Sequence, residues 1–187
     1  MRVGLSPVIV GLVTLAMGCG ASATEPMPPT GGSAKGRPHP VKVELIAEHA
    51  SVLPGGNTRV GVHFELEEDW HIYAKTPGDA GLPTSIEWTG SAGTTFWPVE
   101  WPDPQEFLDP GNIRTFGYSG AVTLASVVKA PRTAKAGTSL PIRAKVKWLA
   151  CHDICIPGAA DLELALPVAD TQPVPSTHSE LFAQVAP

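Results

Sequence analysis

Two cysteines stand three residues apart in the stretch VKWLACHDICIPGAADLEL, residues 146–164, and their side chains are the ones in this sequence best suited to chemistry. Three uses fit Cys151 and Cys155: a structural disulfide, a pair cycling between dithiol and disulfide, or the sulfur half of a metal site. A disulfide needs Cα atoms about 4.4–6.8 Å apart, whereas extended chain would separate these two by roughly 13 Å. The chain must therefore turn back between them, and His152-Asp153 is suited to begin the turn. A bond closing so small a loop is worth only about 2 kcal/mol, which makes a poor staple. Lys145 and Lys147 fall on the strand face that carries Cys151 and favour its thiolate; protonated His152 adds to that field and Asp153 opposes it. A metal site would draw on Cys151, His152 and Cys155, with His71 as a fourth group, and soft sulfur suits Cu(I) or Zn. Neighbouring Cys151 and His152 alternate sides on a strand, so both reach one ion only from an irregular loop. All three uses stay open on these residues alone.

Other chemical signals fade on inspection. GGSAKGRP at 31–38 has Arg37-Pro38 where a phosphate loop needs Lys followed by Ser or Thr, and no strand precedes it. GYSG at 117–120 lacks the full nucleophile-elbow pattern and reads as a turn. The tryptophans at 70, 88, 97, 101 and 148 are suited to core or rim packing.

The elements that must position the cysteines are strands. Val41, Val43, Leu45 and Ala47 alternate with Lys42, Glu44 and Ile46, and Val60, Val62, Phe64 and Leu66 alternate with Arg59, Gly61, His63 and Glu65. Trp70, Ile72 and Ala74 alternate with His71, Tyr73 and Lys75; further strands are expected at Thr84–Trp88, Thr94–Glu100, Ala121–Lys129, Pro141–Ala150 and Asp161–Val168. Turn chemistry separates them at 53–57, 76–83, 101–112 and 135–137. Seven or eight short strands without a long helix predict an all-β chain, an immunoglobulin-like β-sandwich. Its last two strands form a hairpin whose connection carries the thiols, with Cys151 aimed away from the core. The tail from Thr171 is expected to hold a helical turn or two around Ser179–Val185.

The termini suggest the compartment. Met1-Arg2, an apolar run from Val8 to Met17 and small residues from Gly18 to Ala23 read as a secretory signal over residues 1–23. Ala16-Met17-Gly18-Cys19 also resembles a bacterial lipobox, in which Cys19 would be acylated and tether the chain to a membrane. Residues 24–40, TEPMPPTGGSAKGRPHP, have almost no large apolar side chain and read as a linker. The folded domain is expected over 41–168, followed by a C-terminal tail, 169–187. A formal net charge of −5 with no basic cluster argues against nucleic-acid binding.

Three stretches together resemble the periplasmic N-terminal domain of the DsbD and ScsB group of thiol:disulfide interchange proteins: DWHIYAKTPGDAGLPTSIEW at 69–88, WPDPQEFLDPGNIRTFGYSGAVTL at 101–124 and VKWLACHDICIP at 146–157. The resemblance covers roughly residues 41–168. It implies an immunoglobulin-like sandwich in the periplasm or cell envelope and a thiol-disulfide oxidoreductase chemistry that needs no cofactor beyond the sulfurs. Cys151 and Cys155 would be the redox couple, passing electrons between a membrane electron donor and thioredoxin-like envelope proteins. It further implies a cap loop within Asp103–Gly117 that hides the pair behind an aromatic ring, Phe107 foremost and Phe116 second, with His71, Tyr73 and His152 flanking and Glu106 as the acid beside the cap. The three-residue cysteine spacing is that of the ScsB-like branch, and Gln105 stands where the cap of DsbD has a second acid. A non-catalytic envelope binding module with a permanent disulfide and a copper-handling domain using the same thiols are the alternatives.

Overall fold

The computed structural model describes residues 39–109, 111–183 and 185. The expected signal, Cys19 and the linker as far as residue 38 lie outside them. Ten strands follow in order: β1 (Val41–Ala47), β2 (Asn57–Leu66), β3 (His71–Gly78), β4 (Ser85–Gly90), β5 (Thr95–Phe96), β6 (Gln105–Asp109), β7 (Ile113–Ser119), β8 (Ala121–Lys129), β9 (Ser139–Cys151) and β10 (Cys155–Pro167). No α-helix occurs among the described residues. The strands form two antiparallel sheets, β1-β2-β8-β5 and β10-β9-β3-β7-β6, with β4 paired to β9 beside β3. This is an immunoglobulin-like sandwich.

The period-two pattern explains how the sheets meet. Val60, Val62 and Phe64 of β2 and Val122, Leu124 and Val128 of β8 join Ile72 of β3 and Ile142, Ala144, Val146 and Ala150 of β9 in one buried cluster. Each larger side chain there contributes about 1.5–3 kcal/mol by leaving water. Because Ile72 points into this core, His71 and Tyr73 must point out of it. The same parity puts Cys151 on the outer face of β9.

Three strand expectations change. The run Thr94–Glu100 shortens to the two residues of β5, since Pro98 cannot donate to a ladder. The strand expected from Asp161 starts at Cys155; Gly158 and the alanines at 159 and 160 carry little apolar signal, and the edge position of β10 tolerates Pro157. The third change is the appearance of β6 and β7, paired from Gln105↔Gly117 to Asp109↔Ile113, within a stretch whose prolines suggest turn. Those prolines flank the segment 105–109 and leave it free to pair.

After β10 the chain crosses the outer face of the four-stranded sheet. Ala50 N–H donates to the Val174 carbonyl (2.9 Å), Ser176 Oγ–H to the Ala47 carbonyl (2.5 Å), and a 3-10 turn over Ser179–Phe182 meets the expected helical turn. Phe182, fully buried, packs with Ile46, Ala125 and Val185 in a second small core. Gly61 makes this contact possible, because a Cβ there would press on Phe182 and Thr123.

Candidate functional site

Cys151 ends β9 and Cys155 opens β10, and the two residues are paired directly across the hairpin with Cα atoms 4.1 Å apart. A disulfide joins them. The reversal required by the spacing is made by His152-Asp153-Ile154, closed by a hydrogen bond from His152 N–H to the Ile154 carbonyl (3.0 Å). Two 13-residue strands hold this hairpin together, so its position does not depend on the sulfur bond.

The two cysteines differ in environment. Cys151 keeps 3% of its surface in water, whereas Cys155 is exposed. Outward aim did not make Cys151 accessible, because β3 lies against the end of β9: His71 is its cross-strand partner, and Tyr73 donates its O–H to the Cys151 Sγ at 3.3 Å. Burial, with the Asp109 carboxylate adding to it, raises the Tyr73 pKa and keeps that donor protonated. Lys147, four residues from Cys151 along the strand, is about 13 Å away, beyond a Debye length of about 8 Å. The hydroxyl of Tyr73, not lysine charge, is therefore the polar group touching this sulfur.

The motif TPGDAGLP at 76–83 positions Tyr73. The chain leaves the β3–β7 register after Tyr73 and folds back, and Thr84 Oγ–H donates to the Tyr73 carbonyl (2.7 Å). Gly81, at φ 98°, lies against the Tyr73 ring where any Cβ would collide with it. Asp79 Oδ2 accepts from Arg114 N–H (3.0 Å), tying this loop to the β6–β7 hairpin.

Phe107, the aromatic ring expected to shield the pair, stands on that hairpin. Its ring stacks on the His71 imidazole, centroids 4.4 Å apart and planes within 17°, while His71 meets Tyr73 edge-on at 5.3 Å. Phe107 thus covers the imidazole that lies across the strands from Cys151, while Cys155 is exposed. Phe116 and Glu106 are cross-strand partners on the reverse face of the hairpin. Phe116 packs toward Gly78 and the main core, and Glu106 forms an exposed two-point ion pair with Arg114 (2.8 and 3.0 Å) that lowers its pKa. The acid facing the site is Asp109, two residues beyond Phe107 on the same strand face, where Thr115 Oγ–H donates to it at 3.1 Å. Strand alternation through Phe107 would have marked it. His152 packs beside Trp70, with centroids 5.9 Å apart.

Burial lowers the His71 pKa, an effect the Asp109 carboxylate opposes and His152 reinforces. Its Nε2 is buried and has no hydrogen-bond partner among the described residues. With the disulfide closed, no group of three or more His, Cys, Asp or Glu among those residues is arranged to hold a metal ion.

Fold and site define an immunoglobulin-like domain with an asymmetrically exposed disulfide at a hairpin tip, beside a stacked Phe107–His71 pair. The family model described as thiol:disulfide interchange protein DsbD, N-terminal, matches residues 39–167, and the chain belongs to that family. Among solved structures it is similar to the N-terminal periplasmic domain of ScsB from Proteus mirabilis (TM-score 0.56, 21% identity), the match covering 78% of this chain and 54% of that one. The chain thus spans about half the length of that relative. The Neisseria meningitidis DsbD N-terminal domain in the reduced form matches at TM-score 0.35 and 16% identity, over 71% of this chain and 90% of that one. No curated protein matches.

Proposed function

We propose that this domain exchanges disulfides with thioredoxin-like proteins of the bacterial envelope, taking electrons from a membrane donor and passing them on through Cys151 and Cys155. The carrying observation is the contrast between an exposed Cys155 and a Cys151 buried under a hydroxyl donor. A partner thiolate attacks Cys155 Sγ, the only one of the two within easy reach, and the Cys151 sulfur leaves with the electron pair of the broken bond. The Tyr73 O–H stabilises the charge that forms there. When that partner is the electron donor, its second thiol then attacks its own sulfur in the mixed disulfide, releasing reduced domain and oxidised donor; the reverse steps, begun by Cys155 attacking the disulfide of a thioredoxin-like protein, pass the electrons on and re-form the Cys151–Cys155 bond. Export to the envelope accords with the signal-like N-terminus and with the periplasmic setting of the family.

The test is capture. Cys151→Ser leaves Cys155 free to form a mixed disulfide that nothing in the chain resolves, so it should accumulate covalent envelope partners, and Cys155→Ser should accumulate few. Failure of both variants to capture any partner, with a wild-type bond that stays closed below about −300 mV, would make the disulfide a permanent staple in a binding module.

A further inference from the structure

Resting on the exchange reading, we propose that His71 is a redox-linked positioning residue: its unpartnered Nε2 becomes the hydrogen-bond partner of the Cys151 sulfur when the disulfide opens, holding the pair in its reduced form. Buried polar atoms are nearly always paired, and one left unpaired carries a desolvation cost that calls for an explanation. Here the unpaired nitrogen belongs to the cross-strand partner of the leaving cysteine. Side chains opposite each other in an antiparallel pair share a face with Cβ atoms about 4.5–5.5 Å apart. A disulfide sulfur has no proton to give and is a weak acceptor, so the closed form offers this nitrogen little.

Opening the bond changes what sulfur can offer. The partner thiolate bonds to Cys155 Sγ, the sulfur–sulfur bond breaks, and Cys151 Sγ departs as a thiolate that takes up one proton. As a thiol it donates S–H to the imidazole; as a thiolate it accepts N–H from the imidazolium. Reduction is complete when the partner's second thiol releases Cys155, which takes up the other proton, leaving two thiols here and one disulfide on the partner. The groups facing His71 permit both arrangements: Asp109 from β6 and the Cys151 thiolate favour the imidazolium, His152 from the hairpin tip opposes it, and Tyr73 of β3 stays a neutral donor. The Phe107 ring covers the imidazole and keeps water from competing for the nitrogen.

The inference is tested in glutathione redox buffers at pH 7. His71→Phe keeps a ring for Phe107 to stack on and removes both nitrogens. It should shift the equilibrium about tenfold toward the disulfide, a potential about 30 mV more negative. His71→Gln, which restores a hydrogen-bonding group without the ring, should recover part of the shift. An equilibrium constant within twofold of wild type in His71→Phe overturns the proposal and leaves His71 as a seat for the cap. If neither variant folds, the imidazole resonances of the wild type decide: the His71 pKa should move on reduction, upward beside a Cys151 thiolate and downward where the thiol donates to the neutral ring, and an unchanged value overturns the proposal. Capture by Cys151→Ser is read separately, so relay and histidine can fail independently: partners captured with no shift would sink only the histidine, a shift with no partners only the relay.

Discussion

Removing one hydroxyl from the site tests whether Tyr73 sets the reactivity of the pair. Tyr73→Phe preserves the ring that packs on Gly81 and meets His71, and deletes only the O–H donated to Cys151 Sγ. Toward a neutral disulfide sulfur such a bond is worth at most about 0.5–1.5 kcal/mol, and toward a thiolate about 1.5–3 kcal/mol. The difference, about 1–1.5 kcal/mol, is what the charged state loses relative to the closed state. It corresponds to a rise of about one unit in the Cys151 pKa. Disulfide opening should slow about tenfold where the transition state carries most of that charge. The assay is reduction of the oxidised domain by dithiothreitol at pH 7 with quenched thiol counting, paired with a 240 nm thiolate titration of the reduced domain. A rate within twofold of wild type and an unmoved titration would refute the role given to Tyr73. Misfolding is a separable outcome, since a lost neutral bond of about 1 kcal/mol should lower Tm by only about 2–4 °C in a domain of this size.

Three further perturbations follow from the same geometry. Gly81→Ala forces a side chain into a left-handed backbone position and against the Tyr73 ring, so it should destabilise the domain by about 1–3 kcal/mol in denaturant melts and impair exchange as well; a variant as stable as wild type would mean the loop relaxes freely. Phe182→Ala should lower stability by about 3–5 kcal/mol with the glutathione equilibrium unchanged, because Phe182 packs on the sheet that does not carry the cysteines; a shift in that equilibrium would show coupling between tail and site. Burial holds the His63 and His71 pKa values below the ordinary 6.5, so the unfolded chain binds more protons once the pH drops beneath that value. Their contribution to stability is intact above pH 6.5 and declines through the window down to the folded values; Tm of the oxidised domain should fall between pH 7.5 and 5, less so in His63→Gln, and a flat profile would remove burial as the cause.

Much of the fold could be read from alternation, and the parts that could not have identifiable causes. The faces of β2, β3 and β9 followed directly, because Val60, Ile72 and Val146 each mark a core side. β10 was half hidden because Gly158 and the alanines beside it pair with β9 while carrying little hydrophobic signal. The cap strands were obscured by the prolines around them. At the site, alternation sends His71, Tyr73 and Cys151 to one face, but facing outward is no guide to exposure: Cys151 is buried where β3, distant in sequence, lies against the end of β9. The resemblance placed an acid beside the cap at Glu106, whereas pairing with Arg114 turns that residue to solvent and leaves Asp109 facing the imidazole.

On the exchange reading, the division of labour between ladder and disulfide would let such a pair open at little cost to the fold. Thirteen cross-strand residue pairs, from Ser139↔Pro167 to Cys151↔Cys155, bring the sulfurs together whether or not they are bonded. The bond closes a loop so short that its effect on the unfolded chain is small, about 2 kcal/mol. A bond that stabilises little leaves the folded state nearly intact when it breaks, and its energy then depends on its surroundings: the Tyr73 hydroxyl on Cys151 Sγ and the exposure of Cys155. On the proposed exchange reading the asymmetry would give the pair a direction, since the exposed Cys155 can meet a partner and Cys151, which accepts from the Tyr73 hydroxyl, would be the better leaving group. Exchanging the two environments, with Cys155 covered and Cys151 open, would place the developing charge on a sulfur that no hydroxyl touches.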